Sequence, residues 1–312
     1  MSISPLVEIR VPTYKRPAWL RRTLKSIQDQ TEENWKTIVL DDSPQQEAKG
    51  VVEALNDSRI SYESNPERLG ETGNTDRAFE SGSFTGASYA AVLQDTDTLL
   101  PDFLKANLSA IEVHNVPLIL RNQQIWLQHT TTEEDTGRTT YGNRFEAKVY
   151  QPLEFLAFLF LSNGIRNGGL FWKTNSDINL KVGPAVTHPD LQELCRTLQI
   201  DQPLKFEAEP LSILNQKADV KDSRPQPNRR TYNRGKQSVM RFLINKYGGT
   251  IIDEAYAIAA RLDKIRDLES ALIMSGYYPR KPFHLSTGER LKTAFQSTLK
   301  FRWVNDPLAG YF

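Results

Sequence analysis

In its first half the chain alternates short apolar runs with segments of helical period, the order that builds a mainly parallel α/β sheet with helices on its faces. Leu6 to Val11 reads as the first strand, and Pro12 ends it. In Ala18 to Gln30, Leu20, Leu24 and Ile27 recur at i, i+4 and i+7 with Arg21, Arg22 and Lys25 between them, so an amphipathic helix is expected. Thr37 to Leu40 is the second strand and closes on Asp41-Asp42-Ser43-Pro44. A helix from about Gln46 to Leu55, a strand over Ile60 to Glu63, a helix from about Asn74 to Phe84 and a strand over Tyr89 to Gln94 follow. In an open α/β sheet, ligands bind beyond the carboxyl ends of the strands. The ends near Arg10, Leu40 and Leu93 all carry polar or acidic residues, which makes Asp41, Asp42, Asp95 and Asp97 candidates for one site.

The third of these ends is the most pointed. An apolar strand stops at Asp95-Thr96-Asp97, and Pro101 follows four residues on. Carboxylates crowded at a strand end repel each other and lose hydration, so they call for a cation or a hydrogen-bonded polar ligand. A hard divalent ion carrying diphosphate oxygens meets both needs, while a solvated turn uses the same residue types without any chemistry. No Gly-x-Gly-x-x-Gly follows the first strand and no Gly-Lys-Ser/Thr phosphate loop is present, which disfavours dinucleotide and phosphate-loop enzymes. Lys plus Arg is 39 against 38 for Asp plus Glu, so no bulk field recruits nucleic acid. A lone cysteine, Cys195, excludes an internal disulfide framework and suits a reducing compartment. The longest apolar run, Phe155 to Leu161, is far short of the roughly 20 residues that span a bilayer, and Met1 to Arg10 does not read as a signal peptide. The expectation is a cytoplasmic protein.

These residues resemble family 2 of the inverting glycosyltransferases. The resemblance rests on Val7-Glu-Ile-Arg-Val-Pro12-Thr13-Tyr14-Lys15-Arg16-Pro17, on Ile38-Val-Leu-Asp41-Asp42-Ser43, on Asn65-x-Glu67-Arg68-Leu69-Gly70-x-x-Gly73-Asn74, and on Leu93-Gln94-Asp95-Thr96-Asp97, in that order. It implies a GT-A fold, a nucleotide-diphosphate sugar as donor, with a UDP-sugar favoured, and a divalent metal, Mn2+ or Mg2+. By the same resemblance Pro12, Thr13, Tyr14 and Arg16 lie against the nucleotide, Asp41 or Asp42 holds the base, and Arg68 and Asn74 stand around the nucleotide and its phosphates. Asp97 is the implied metal ligand, with Asp95 on ribose or metal. The family's commonest pattern has three consecutive acids here, and Thr96 replaces the middle one with a neutral oxygen. The general base is expected in Thr187-His188-Pro189-Asp190, at a helix start whose dipole favours an ionised carboxylate. Asp190 is the candidate, with Glu193 in reserve, although Pro189 stands where the family usually has Glu.

The resemblance covers roughly residues 1–215, read as the catalytic domain with a donor half to about 104 and an acceptor half beyond it. Residues 216–236 form a basic linker or a lid, with Arg224, Arg229 and Arg230 suited to phosphate oxygens. Residues 237–312 are a C-terminal helical segment: Gln237 to Tyr247, then one helix from Thr250 to Ser275 opening on a Thr250–Asp253 capping box. That region could contact the catalytic domain, a second copy of the chain or a membrane-bound acceptor surface. The aromatic residues of the tail, Phe301, Trp303, Tyr311 and Phe312, suit either packing or a membrane interface. Trp126 and Trp172 are candidates to stack on a sugar or to fill the core. The resemblance implies a glycan or lipid-linked acceptor. A catalytically degenerate nucleotide-sugar-binding module and a nucleotidyltransferase remain as alternatives.

Overall fold

The strand and helix segments expected from the first hundred or so residues are formed, and long-range pairing decides where each one ends. The computed structural model describes residues 4–84, 86–129, 132–217, 229–279, 281–301 and 304–312. The strands are β1 Val7–Thr13, β2 Trp35–Asp41, β3 Ile60–Ser64, β4 Tyr89–Val92, β5 Thr98–Leu99, β6 Leu118–Arg121, β7 Gln124–Gln128, β8 Glu133–Thr139, β9 Val149–Tyr150, β10 Leu170–Lys173, β11 Leu204–Glu207 and β12 Ser212–Lys217. The helices are α1 Pro17–Gln28, α2 Glu47–Leu55, α3 Gly70–Ala78, α4 Phe103–His114, α5 Pro152–Ala157, α6 Pro189–Leu198, α7 Arg229–Tyr247, α8 Gly249–Arg261, α9 Ile265–Met274 and α10 Thr287–Phe301.

Two compact units divide these elements. The first takes Met1–Tyr150, Arg166–Lys181 and Ile200–Ser223, and the second takes Gln151–Ile165, Val182–Gln199 and Arg224–Phe312. The first unit holds an eight-stranded sheet in the order β3-β2-β1-β4-β10-β6-β11-β9. β10 lies antiparallel between β4 and β6, and β9 is antiparallel to β11, while the other six strands run one way. A second sheet, β5-β12-β7-β8, stands beside it in the same unit. β1 alternates Val7, Ile9 and Val11 with Glu8 and Arg10, yet every position is buried. Burial of the polar face is tolerated because Arg10 pairs with Glu8 at 2.7 Å and donates to the carbonyls of Ala78 and Glu80. Leu20, Leu24 and Ile27 of α1 are fully buried, as their spacing predicts.

Three elements depart from the sequence expectation, the first being β1, which Pro12 does not end: the strand continues to Thr13, with Pro12 opposite Leu40 and Thr13 opposite Asp41 of β2. α3 begins at Gly70 rather than near Asn74 and ends at Ala78, because Asp42 accepts from the backbone N–H groups of Leu69 (2.7 Å) and Gly70 (2.9 Å) and nucleates the turn from another strand end. The helix expected over Thr250 to Ser275 is two helices. Asp263 at φ 54 ends α8 in a Schellman arrangement, with the N–H of Lys264 on the carbonyl of Ala259 (2.7 Å) and the N–H of Asp263 on that of Ala260 (3.3 Å). α8 itself starts from Gly248 with no side-chain cap, so the Thr250–Asp253 capping box is not formed. Trp172 belongs to the core: it is 2% exposed and stacks on Phe79 at 5.6 Å. Trp126 is half-buried in β7.

Gly169 precedes β10 in a turn with no room to spare. A methyl group there would fall on the backbone carbonyl oxygen of Arg121. Gly169→Ala is therefore expected to destabilise the first unit by about 3 kcal/mol, since the obstacle is backbone and cannot rotate away. A denaturant midpoint equal to wild type would show that the turn shifts freely.

In the second unit, α5 to α10 bury Phe155, Leu156, Leu191, Leu194, Leu243 and Leu272. Arg229 and Arg230, placed by the sequence in a linker or lid, open α7, while Arg224 lies outside the described residues. Phe301 ends α10 buried, and Phe312 stacks on Phe242 at 4.4 Å. Arg302 and Trp303 lie outside the described residues. Among the described residues no helix is long and apolar enough to cross a membrane.

Candidate active site

The carboxyl ends of β1, β2 and β4 meet in the first unit, and side chains on each bind the next. Thr13 at the end of β1 donates from Oγ1 to Asp95 Oδ2 at 2.8 Å, and Arg16 Nη1 reaches Asp95 Oδ1 at 3.0 Å. Both oxygens of Asp95 are thereby taken. Burial still raises the Asp95 carboxyl above its ordinary range, against the lowering effect of Arg16 and Thr13. Between β1 and β2, Asn74 donates from Nδ2 to the carbonyls of Leu40 (2.9 Å) and Thr13 (3.3 Å), and its Oδ1 accepts from Asn65 at 2.9 Å. Asn74 thus sits inside α3 as a brace between two strand ends.

The two acids at the end of β2 have separate tasks. Asp42 accepts from Asn65 Nδ2 (2.8 Å) besides the backbone of Leu69 and Gly70, so its carboxylate is fully engaged in holding the 65–70 loop. Asp41 accepts one bond on each oxygen, from the N–H of Ser43 (2.9 Å) and the hydroxyl of Tyr62 (3.2 Å). Burial and the adjoining Asp41 carboxylate push the Tyr62 hydroxyl up to about 12. Tyr14 is half-buried between the strand end and the surface, with the Arg68 guanidinium 4.8 Å from its ring centroid. Lys15, exposed at φ 53, donates its backbone N–H to Ser43 Oγ at 2.8 Å and so ties the loop after β1 to the loop after β2. A lysine in the left-handed region is strained by about 1–2 kcal/mol, which that bond helps to hold.

Asp97 differs from its neighbours. It is 1% exposed, and its Oδ1 accepts only long bonds, from Thr96 Oγ1 (3.3 Å) and the N–H of Asn215 (3.4 Å). No described residue donates to its Oδ2. Burial pushes this carboxyl up to about 7. Among the described residues there is no cluster of three or more acidic, histidine or cysteine side chains that would hold a metal. Of the two acids Asp97 fits such an ion better, having Oδ2 to give, whereas both oxygens of Asp95 are taken, one of them by the Arg16 guanidinium. An ion with one protein carboxylate takes its other ligands from water and substrate oxygens, as magnesium commonly does.

The raised Asp97 carboxyl sets a pH dependence. The folded chain holds this proton to higher pH than the unfolded chain, where Asp titrates near about 4, so its contribution to stability is full below about pH 4 and is lost as pH rises through about 7. Metal needs the carboxylate, so the sign for binding is opposite. The rise in Tm on adding manganese is expected to be near zero at about pH 5.5 and to grow through pH 7. A pH-independent rise would place the ion elsewhere.

Several residues of this corner were not singled out from the sequence. Thr23 of α1 donates from Oγ1 to the backbone carbonyls of Asp95 (3.0 Å) and Asp97 (2.7 Å), clamping the acidic turn. Asn215 Nδ2 donates to the carbonyl of Thr96 at 2.8 Å. Gln123 and Gly168 lie beside Asp97. All are joined across long sequence separations with no periodic signal. In the second unit, Asp190 lies in the first turn of α6, half-buried, behind Pro189 at the helix start. His188 is buried there with its ring 5.8 Å from that of Tyr232. Cys195 is buried, and burial pushes its thiol up to about 12, far from a reactive thiolate.

A mixed sheet whose strand ends converge on paired aspartates is that of a GT-A fold, and comparison with known proteins agrees. Staphylococcus aureus TarS, residues 1–349, superposes with a TM-score of 0.60 at 11% identity, covering 96% of this chain and 92% of that one. The same TarS fragment solved with UDP-GlcNAc gives 0.58 at 14%, covering 95% and 80%. By sequence, residues 8–157, just under half of the chain, match the Glycosyl transferase family 2 model. A Campylobacter jejuni GalNAc(5)-diNAcBac-PP-undecaprenol beta-1,3-glucosyltransferase is 33% identical over 99 residues, 31% of this chain and 31% of its own length. WfgD of Escherichia coli, a UDP-Glc:alpha-D-GlcNAc-diphosphoundecaprenol beta-1,3-glucosyltransferase, is 28% identical over 122 residues, 38% of this chain and 46% of its own. The matched stretches span about a third to a half of these relatives.

Proposed function

We propose that this chain transfers a sugar from a nucleotide-diphosphate sugar, with a UDP-sugar favoured, to a hydroxyl of a glycan or lipid-linked acceptor, with inversion at the anomeric carbon. The observation that supports it most is the acidic corner at the end of β4, where Thr13 and Arg16 hold Asp95 and leave Asp97 Oδ2 without a donor. In this reading Tyr14 and Arg68 line the nucleotide base, Asp41 accepts from it, and Asp97 holds Mn2+ or Mg2+. That ion, when bound, would neutralise charge on the diphosphate leaving group. Asp190 accepts the proton of the acceptor hydroxyl as its oxygen bonds to the anomeric carbon. The bond from that carbon to the diphosphate oxygen breaks, and the electron pair leaves with the nucleoside diphosphate. Lipid-linked acceptors named for the two bacterial relatives support a place of action at the inner face of a membrane.

A thermal-shift screen of nucleotide sugars, with and without manganese, tests this. A metal-dependent rise with one nucleotide sugar, followed by release of its nucleoside diphosphate on adding acceptor, is expected. Binding without turnover under any acceptor would favour a degenerate binding module instead.

A further inference from the structure

Gln123 follows β6 and is fully buried, yet neither Oε1 nor Nε2 of its carboxamide has a hydrogen-bond partner among the described residues. A buried amide left in this state is disfavoured, and native structures rarely keep one without a purpose. Its position suggests the purpose. Gly168 is bare on the side where Gln123 and Asp97 meet: a methyl group on it would stand 2.7 Å from Gln123 Nε2 and 3.2 Å from Asp97 Oδ2. The carboxylate with no donor on Oδ2 and the amide with no partner therefore share one polar corner. Ser212 reaches the carbonyl of Gly168 at 3.4 Å and helps fix the turn that closes it.

We propose that the Gln123 carboxamide reads the donor's sugar by bonding a pair of adjacent ring hydroxyls, one accepting from Nε2–H and the next donating to Oε1. This deepens the transferase reading and rests on it. The chemistry of the amide selects the ligand. A phosphate has only acceptors and would leave Oε1 facing an anion beside Asp97, and a metal ion would leave the Nε2 protons facing a cation. A vicinal diol offers a donor and an acceptor side by side and satisfies both atoms. Because the site's own polar groups stay unpaired without it, a donor lacking either hydroxyl should be rejected strongly.

The test compares the nucleoside diphosphate with its hexose conjugate. Isothermal titration with manganese present would use UDP and UDP-glucose, or the pair the thermal-shift screen selects, on wild type, Gln123→Met and Gln123→Asn. Methionine is unbranched and of similar size, and asparagine keeps the amide but withdraws it. Both variants are expected to bind the nucleoside diphosphate as wild type does, which also shows that they fold. Both should bind the hexose conjugate about tenfold or more weakly, the loss of one to two hydrogen bonds. Equal loss on the two ligands, or no loss on either, would overturn the proposal while leaving the transferase reading standing. If wild type gains nothing from any nucleotide or nucleotide sugar, the transferase reading falls and this one with it.

Discussion

Asp97→Asn is expected to lower kcat/KM for sugar transfer by about a thousandfold or more, because in the proposed reading its charge holds the ion that stabilises the leaving diphosphate. The manganese-dependent rise in Tm should vanish with it. The unliganded protein offers an internal control of opposite sign. Burial works against the charged form of this carboxylate, so the neutral asparagine of similar size should leave the fold as stable as wild type or more so above about pH 7. A variant that has lost activity but gained stability would fit only a residue kept for function. Unchanged activity at saturating manganese or magnesium would remove Asp97 from the metal role.

Asp190→Asn separates the chemical step from binding. With Asp190 as the proposed base for the acceptor proton, kcat should fall by about a hundredfold to ten thousandfold, while the donor-induced thermal shift stays as in wild type. The helix start loses a favourable charge, a change of only about 0.3–1 kcal/mol, so a folded protein is expected. Should donor binding fall as far as turnover, Asp190 would be a structural residue and Glu193 the next to examine.

Local spacing was a good guide wherever a face had to be buried. Leu20, Leu24 and Ile27 announce α1, and the apolar run at Tyr89 announces β4, because both signals are contained within one element. What lay beyond the sequence involves partners far along the chain. α3 starts early because a carboxylate 28 residues upstream accepts from its first turn. The helix after Thr250 breaks because Asp263 takes a left-handed conformation that an aspartate can adopt but does not advertise. The acids of the site were visible as acids, and their inequality was not. Asp42 is spent on a loop, Asp95 is matched by arginine, and Asp97 is left with an open oxygen, differences that follow from neighbours supplied by other strands and by α1 and α3.

Thr23 gives the acidic turn a support that owes nothing to the turn's own side chains. Its hydroxyl grips the main chain of both aspartates from a helix laid down more than seventy residues earlier. The path of the backbone there is thus held at its two outer residues from α1 and at the middle one by Asn215 of β12. An acid in place of threonine at position 96 would therefore change the charge beside Asp97 while these bonds to the main chain stay as they are.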